Sequence, residues 1–397
     1  MVLTGLLGVA SLAGCGSLGS KPRPASTGAP GTMSPTAASE DPSAESAPEA
    51  SASATPNPLD GWTLEQKVGQ LLMVGADTSG PQMVSIDAVA THHVGNVFIA
   101  RQTRSGADSV RGVIIALTDL VGSETTHDTP LLVATDQEGG QVQVLGGSGF
   151  SDIPSASEQA IMSTDDLTAS ARTWGQELAD VGVTMNLAPV ADLVDIPDPS
   201  SNAPIGRWGR EYGQSATTSQ DRAIAFARGM EAAGVIPTYK HFPGLGRVTA
   251  NTDTADGVTD SITTRSGDPA VSVFAEAITG GARVIMVSSA IYSAIDSSAP
   301  ATFSSVVVTD MLRGDLGFTG VVITDDVSAA VQVDAWTPAQ RAVQAVKAGC
   351  DIVLASADAT MVADMAEALI AEAQADPAFA QRVDESATRV ISLKAGS

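Results

Sequence analysis

The chain has 397 residues, with 45 Asp or Glu against 21 Lys or Arg and a formal net charge of −24. That surplus of carboxylate argues against nucleic acid as a partner, because affinity for phosphate comes mainly from Lys and Arg. The only cysteines are Cys15 and Cys350, too few for a disulfide framework.

The chain opens on an apolar stretch, Val2 to Ala13, rich in Leu, Val, Ala and Gly. A bilayer span needs about 20 residues, so this stretch reads as the apolar core of a signal peptide over residues 1–15. It ends in Leu12-Ala13-Gly14-Cys15, which resembles a bacterial lipobox. The resemblance implies cleavage before Cys15 and a lipid on its thiol. Membrane contact would then be through that lipid alone, at the outer face of the cytoplasmic membrane. Residues 16–59 are mostly Ser, Ala, Pro, Thr, Gly and Glu, with no aromatic residue, Val or Ile. Such a segment buries too little apolar surface to offset ordering entropy, so a disordered tether is expected, with a reach of roughly 35–40 Å.

Residues 60–397 suit one domain. Thr63 with Gln66 three residues on predicts a capped first helix over Thr63–Gln70. Eight short runs rich in Val, Ile and Leu follow: Leu71–Ala76, Gly95–Ala100, Leu131–Asp136, Val183–Val190, Ile236–His241, Arg283–Ser289, Gly320–Asp326 and Asp351–Ser356. Ala-rich helical segments such as Gln220–Ala233 and Pro338–Ala348 lie between them. Continuous apolar strands alternating with helices indicate a parallel sheet covered on both faces. Eight such units predict an α/β fold of the (β/α)8 TIM-barrel type. An open doubly wound sheet is the alternative, but its phosphate loop is missing. Asp136, Asp192, Lys240, His241, Ser288, Asp325 and Asp326 cluster at the C-terminal ends of the runs, where barrels carry active sites. Cys350 precedes an apolar run and is expected to be a buried structural thiol.

No HExxH, CxxC or paired-His spacing occurs, so zinc chemistry is not expected. No GxSxG elbow occurs either. Carboxylates remain as nucleophile and acid. In Lys240-His241-Phe242-Pro243-Gly244-Leu245-Gly246, a strand runs into two basic groups and then a tight loop that lets backbone approach a ligand. In Gly320-Val321-Val322-Ile323-Thr324-Asp325-Asp326, an apolar strand ends in two carboxylates. Neighbours on a strand face opposite ways, so one of the two points inward; alternation alone does not say which.

The 240–246 segment resembles the signature of family 3 glycoside hydrolases, in their single-domain β-N-acetylglucosaminidase branch. Val133-Ala134-Thr135-Asp136-Gln137-Glu138-Gly139-Gly140, Asn186 to Asp192, Ile205-Gly206 with Arg210-Glu211-Tyr212-Gly213, and Gly317 to Asp326 are similar to further family motifs in the same order. The resemblance implies a retaining mechanism through a glycosyl-enzyme, with Asp325 as nucleophile and Asp326 in a supporting role. It implies that Asp136, Arg210, Lys240 and His241 hold the sugar. Lys240 is a candidate for keeping Asp325 ionised. In two places the chain departs from the family. The family's acid/base is a His in an Asp-Ser/Thr-His element, where this chain has Asn251-Thr252-Asp253. Asp253 is then either a substituted acid/base with a raised pKa or no catalyst. The second departure is Val144, where the family often has a sugar-contacting Arg; Ser289 likewise stands near the place of a family His.

The expectation is an exo-acting retaining hydrolase that removes β-linked N-acetylglucosamine from peptidoglycan fragments, monomeric, with no metal or organic cofactor. The alternatives are a β-glucosidase or other exo-β-glycosidase, and a catalytically impaired lipoprotein that binds cell-wall sugars.

Overall fold

A computed structural model describes residues 57–396. The expected signal stretch, Cys15 and the tether as far as residue 56 lie outside these residues. Leu59 is already buried in the hydrophobic core, and the Asp60 N–H donates to the Asn57 carbonyl, so the fold takes up the chain at residues 57–59.

Helix α1 (Leu64–Gln70) starts as its sequence demands. The Thr63 hydroxyl accepts from the Gln66 N–H, and the Gln66 side chain reaches back to the Thr63 N–H. Eight parallel strands follow: β1 (Leu72–Asp77), β2 (Asn96–Ala100), β3 (Leu132–Thr135), β4 (Met185–Asn186), β5 (Ile236–Pro237 and Tyr239–Phe242), β6 (Val284–Val287), β7 (Val321–Thr324) and β8 (Val353–Ala355). Strands β8, β1, β2, β3, β4 and the first half of β5 pair in that order. The second half of β5 pairs with β6, and β6 with β7. A parallel bridge from Ile323 to Ile352 joins β7 back to β8. The strand ring is an α/β barrel with helices outside, as the eight apolar runs predict. Among the covering helices are Ala216–Ala232 and Pro338–Ala348. Among the described residues, no helix is long and apolar enough to cross a membrane.

Strand alternation decides what faces the barrel axis. Met73, Phe98, Leu132, Ala134, Met185, Leu187, Ile236, Val284, Met286, Val321, Ile323, Ile352 and Leu354 form the inner core. Their neighbours, such as Leu72, Val74, Val133, Ile285 and Val322, pack into the outer core under the helices. Counting in twos from these inward positions reaches Asp136 on β3, Lys240 on β5, Asp325 on β7 and Ser356 on β8. The parity that fills the barrel therefore also sets the side chains at its C-terminal mouth. It settles the Asp325–Asp326 ambiguity: Asp325 continues the Val321, Ile323 row toward the axis.

Candidate active site

The barrel mouth holds a cavity of about 440 Å3. Asp136, Arg210, Lys240, His241, Asp253 and Asp325, the six residues singled out in the sequence, all line it. Its apolar floor is the top of the inner core: Phe98, Leu187, Met286 and Leu354.

One side of the site is an ion-pair lattice. The Lys240 ammonium lies 2.6 Å from Asp136 Oδ1 and 2.6 Å from Glu138 Oε1. Arg210 grips Glu138 from the other side, with Nε and Nη2 at 2.9 and 2.7 Å from its two oxygens. Glu138 belongs to a short hairpin, Gln137–Gly139 against Val142–Gln143, that springs directly from β3. Burial alone would raise its carboxyl, but the charges of Arg210 and Lys240 outweigh that and hold it at about 2. Burial would lower the Lys240 ammonium, yet Asp136 and Glu138 overcome this and raise it. Lys240 is thus committed to two carboxylates, and its pull on Asp325 is weaker than that of His241.

The second fixture is His241. Its Nδ1 lies 2.7 Å from Asp192 Oδ2, while Asp192 Oδ1 accepts from the His241 and Leu245 backbone N–H groups at 3.1 and 2.6 Å. Asp192 is fully buried, and a carboxylate there fixes the proton on Nδ1, leaving Nε2 for the cavity. The loop that follows must be glycine. At Gly246 an added Cβ would meet the Leu193 carbonyl oxygen at 2.0 Å. At Gly244 the backbone has φ of +132°.

The third group is the carboxylates. Asp325 sits above the Met286 and Ile323 level of the core, and burial pushes it up to about 6. His241 pulls it down, Asp253 pushes it up again, and the Asp326 N–H and Lys240 lower it. Asp253 lies on the loop after β5, at the exposed rim, with its own N–H donating to Asn251 Oδ1 at 2.9 Å. Its carboxyl is also raised, first by burial against the cavity and then by the charge of Asp326, while His241 and Arg210 draw it down. Asn251 works in the lowering direction. Asp326 turns away and supports. One oxygen accepts from Ser328 N–H and Oγ–H, both at 2.6 Å. The other accepts from the Ser356 and Ala357 N–H groups, both at 2.8 Å, and from the Ser356 hydroxyl. It binds the end of β7 to the end of β8, both of which wall the cavity.

Val144 is buried, and its N–H donates to the Asp136 carbonyl at 3.0 Å, so it serves the hairpin frame. Ser289 is buried beyond β6. Sequence reasoning missed the roles of Glu138 and Asp192. Glu138 is two residues past Asp136 in the same motif, and Asp192 closes the fourth run. No spacing rule told that their partners would be Arg210 and His241.

Residues 63–393 match the glycosyl hydrolase family 3 N terminal domain. The chain belongs to glycoside hydrolase family 3. A β-N-acetylhexosaminidase from Beutenbergia cavernae superposes with a TM-score of 0.83 at 54% identity, over 84% of this chain and 98% of that one. Beta-hexosaminidase LpqI of Mycobacterium tuberculosis is 30% identical over 342 residues, 83% of this chain and 82% of its own length. A beta-hexosaminidase of Idiomarina loihiensis is 36% identical over 264 residues, 64% of this chain and 75% of its own. This family 3 chain is a β-N-acetylhexosaminidase-like glycoside hydrolase, and a carbohydrate is its substrate.

Proposed function

We propose that this hydrolase is an exo-acting retaining β-N-acetylglucosaminidase that works through a glycosyl-Asp325 intermediate. The observation that carries this reading is the pair Asp325 and Asp253: two carboxyls with raised pKa in one cavity, each influenced by charge in that cavity. One group must attack as carboxylate while the other still holds a proton, and two carboxyls of raised pKa lining one cavity, with Asp253 raising Asp325, suit that division.

In the first step an Asp325 oxygen bonds to the anomeric carbon as the glycosidic C–O bond breaks. Asp253 gives its proton to the departing oxygen. In the second step water bonds to the anomeric carbon, Asp253 takes the proton from it, and the bond to Asp325 breaks. Asp136, Lys240, Arg210 and His241 Nε2 hold the ring hydroxyls, and the apolar floor takes the acetamido methyl. A cavity of this size accepts one terminal sugar, which favours exo action. Peptidoglycan fragments are the proposed source of that sugar. Export and lipidation at Cys15 would place the enzyme beside the cell wall; a secreted glycosyl hydrolase of Arthroderma benhamiae, 33% identical over 276 residues, supports export.

The test is hydrolysis of an aryl β-N-acetylglucosaminide, followed by trapping with a fluorinated N-acetylglucosaminyl fluoride and peptide mass analysis. The label is expected on Asp325. Label on any other residue, or faster turnover of an aryl β-glucoside, overturns the assignment.

A further inference from the structure

The rim loop that carries Asp253 has no strand or helix of its own under it. It is gripped instead by the loop that leaves β7. The Gln332 N–H donates to the Thr252 carbonyl at 3.0 Å, and the Val331 N–H to the Asp253 carbonyl at 3.3 Å. Five residues further along the same loop, the Val258 N–H donates to Gln332 Oε1 at 2.8 Å, and Gln332 Nε2 donates to the Val258 carbonyl at 3.2 Å. Gln332 is buried, so these bonds are shielded from water, and each broken one leaves a buried polar group unpaired. The far end of the loop is fastened too: Thr259–Asp260 pairs with Ile291–Tyr292 beyond β6.

From this arrangement we propose that Gln332 is a positioning residue that fixes the Asp253 loop against the Asp325 cavity before substrate arrives. The Gln332 side chain pairs with Val258 as an added strand would, while its backbone holds Thr252. The loop between those points carries Asp253, so the direction of the Asp253 carboxyl depends on both attachments. The β7 loop that supplies Gln332 follows directly from Asp325 and is held in turn by Asp326 and by Arg341, whose Nη1 donates to the Val327 and Ser328 carbonyls at 2.7 and 3.0 Å. Nucleophile and acid are thereby referenced to one rigid segment. A fixed geometry of this kind removes the cost of ordering the acid at each turnover. The inference rests on the reading of Asp253 as the acid.

The experiment uses the full chain with Gln332→Met, which keeps volume and removes both side-chain bonds. A second variant, Val331→Pro, removes the N–H given to Asp253 and suits the extended Ala330 before it. Two aryl N-acetylglucosaminides are compared: a dinitrophenyl one, whose leaving group needs no proton, and a methoxyphenyl one, whose leaving group does. We expect either variant to lower kcat/KM at least tenfold on the methoxyphenyl substrate and less than threefold on the dinitrophenyl one. Amide exchange at residues 252–258 should rise at least tenfold. Equal loss on both substrates, or unchanged exchange in that segment, overturns the role of Gln332. Asp253→Asn is run beside them. If it leaves the methoxyphenyl rate intact, the acid assignment itself fails and takes the catalytic purpose of the tether with it; a normal Asp253→Asn deficit with silent Gln332 and Val331 variants refutes the tether alone.

Discussion

Asp325→Asn is expected to make the protein more stable at neutral pH while abolishing catalysis. The Asp325 carboxyl is raised from 3.8 to about 6, mainly by burial. The sign follows from linkage. The folded state holds this proton more tightly than the unfolded chain, so the fold is favoured below pH 3.8 and loses that advantage as pH rises through about 6. At pH 7.5 the buried charge is fully present. At about 1.36 kcal/mol per pH unit the ceiling is about 3 kcal/mol, and water entering the open mouth reduces it to about 1–3 kcal/mol. Asn keeps the oxygen that accepts the Asp326 N–H at 2.9 Å, so no bond in the frame is lost. For a domain of this size the gain is a rise in Tm of about 1–4 °C. Thermal unfolding of both proteins at pH 7.5 and pH 4 measures it. The gain should be present at pH 7.5 and shrink toward zero at pH 4. A destabilised variant at pH 7.5, or a gain of equal size at both pH values, would refute the claim that charge burial at Asp325 is the cause.

Asp253→Asn should lower kcat/KM on unactivated leaving groups by about 10²–10⁴-fold, the usual range for a lost general acid, in steady-state assays with matched aryl glycosides. Asp326→Ala leaves the half-buried Ser356 and buried Ser328 donors without their acceptor. It should cost about 1–3 kcal/mol in denaturant unfolding and misplace Asp325, lowering kcat more than it raises KM. Cys350 is fully buried and its thiol is pushed up to about 12 by that burial. Alkylation at pH 8 followed by peptide mapping should leave Cys350 unlabelled in the native protein and label it fully once unfolded.

The strands were legible because each apolar run is long enough to be buried on both faces, and polar residues stop each one abruptly. All eight runs contain a barrel strand. The clustering of Asp136, Lys240 and Asp325 at the strand ends was legible for the same reason, but which parity faces the axis was not: alternation left Asp325 and Asp326 open until the inner row Val321, Ile323 was seen. The partners of those residues were harder to see. Glu138 meets Arg210 across 72 residues, and Asp192 meets His241 across 49. Such distances along the chain carry no periodic signal. Lys240 does lower Asp325, as expected, but less than His241 does, since Glu138 and Asp136 already pair with the ammonium. The Gln332 attachment was invisible because a buried amide has no charge or spacing to announce it.

On the proposed mechanism, the charges at the mouth let Asp253 take the place that the family resemblance gives to a His. Six carboxylates meet there: Asp136, Glu138, Asp192, Asp253, Asp325 and Asp326. The permanent cations facing them are Lys240 and Arg210. A surplus of negative charge in a confined space makes the last proton hard to remove, so a carboxyl there can hold the proton that an imidazole would otherwise supply. The same surplus favours the positive charge that develops on the sugar during glycosidic cleavage. Lys240→Met would deepen it. Asp136 and Glu138 would lose a buried partner, at a cost of about 3–5 kcal/mol by denaturant unfolding. Asp325, which Lys240 draws downward, would keep its proton to higher pH. Residual kcat/KM in this variant should therefore fall more steeply between pH 7 and pH 5 than in the native enzyme. A variant whose pH profile keeps the native acid limb would show that Lys240 acts on the sugar alone and that the charge surplus does not govern the proton.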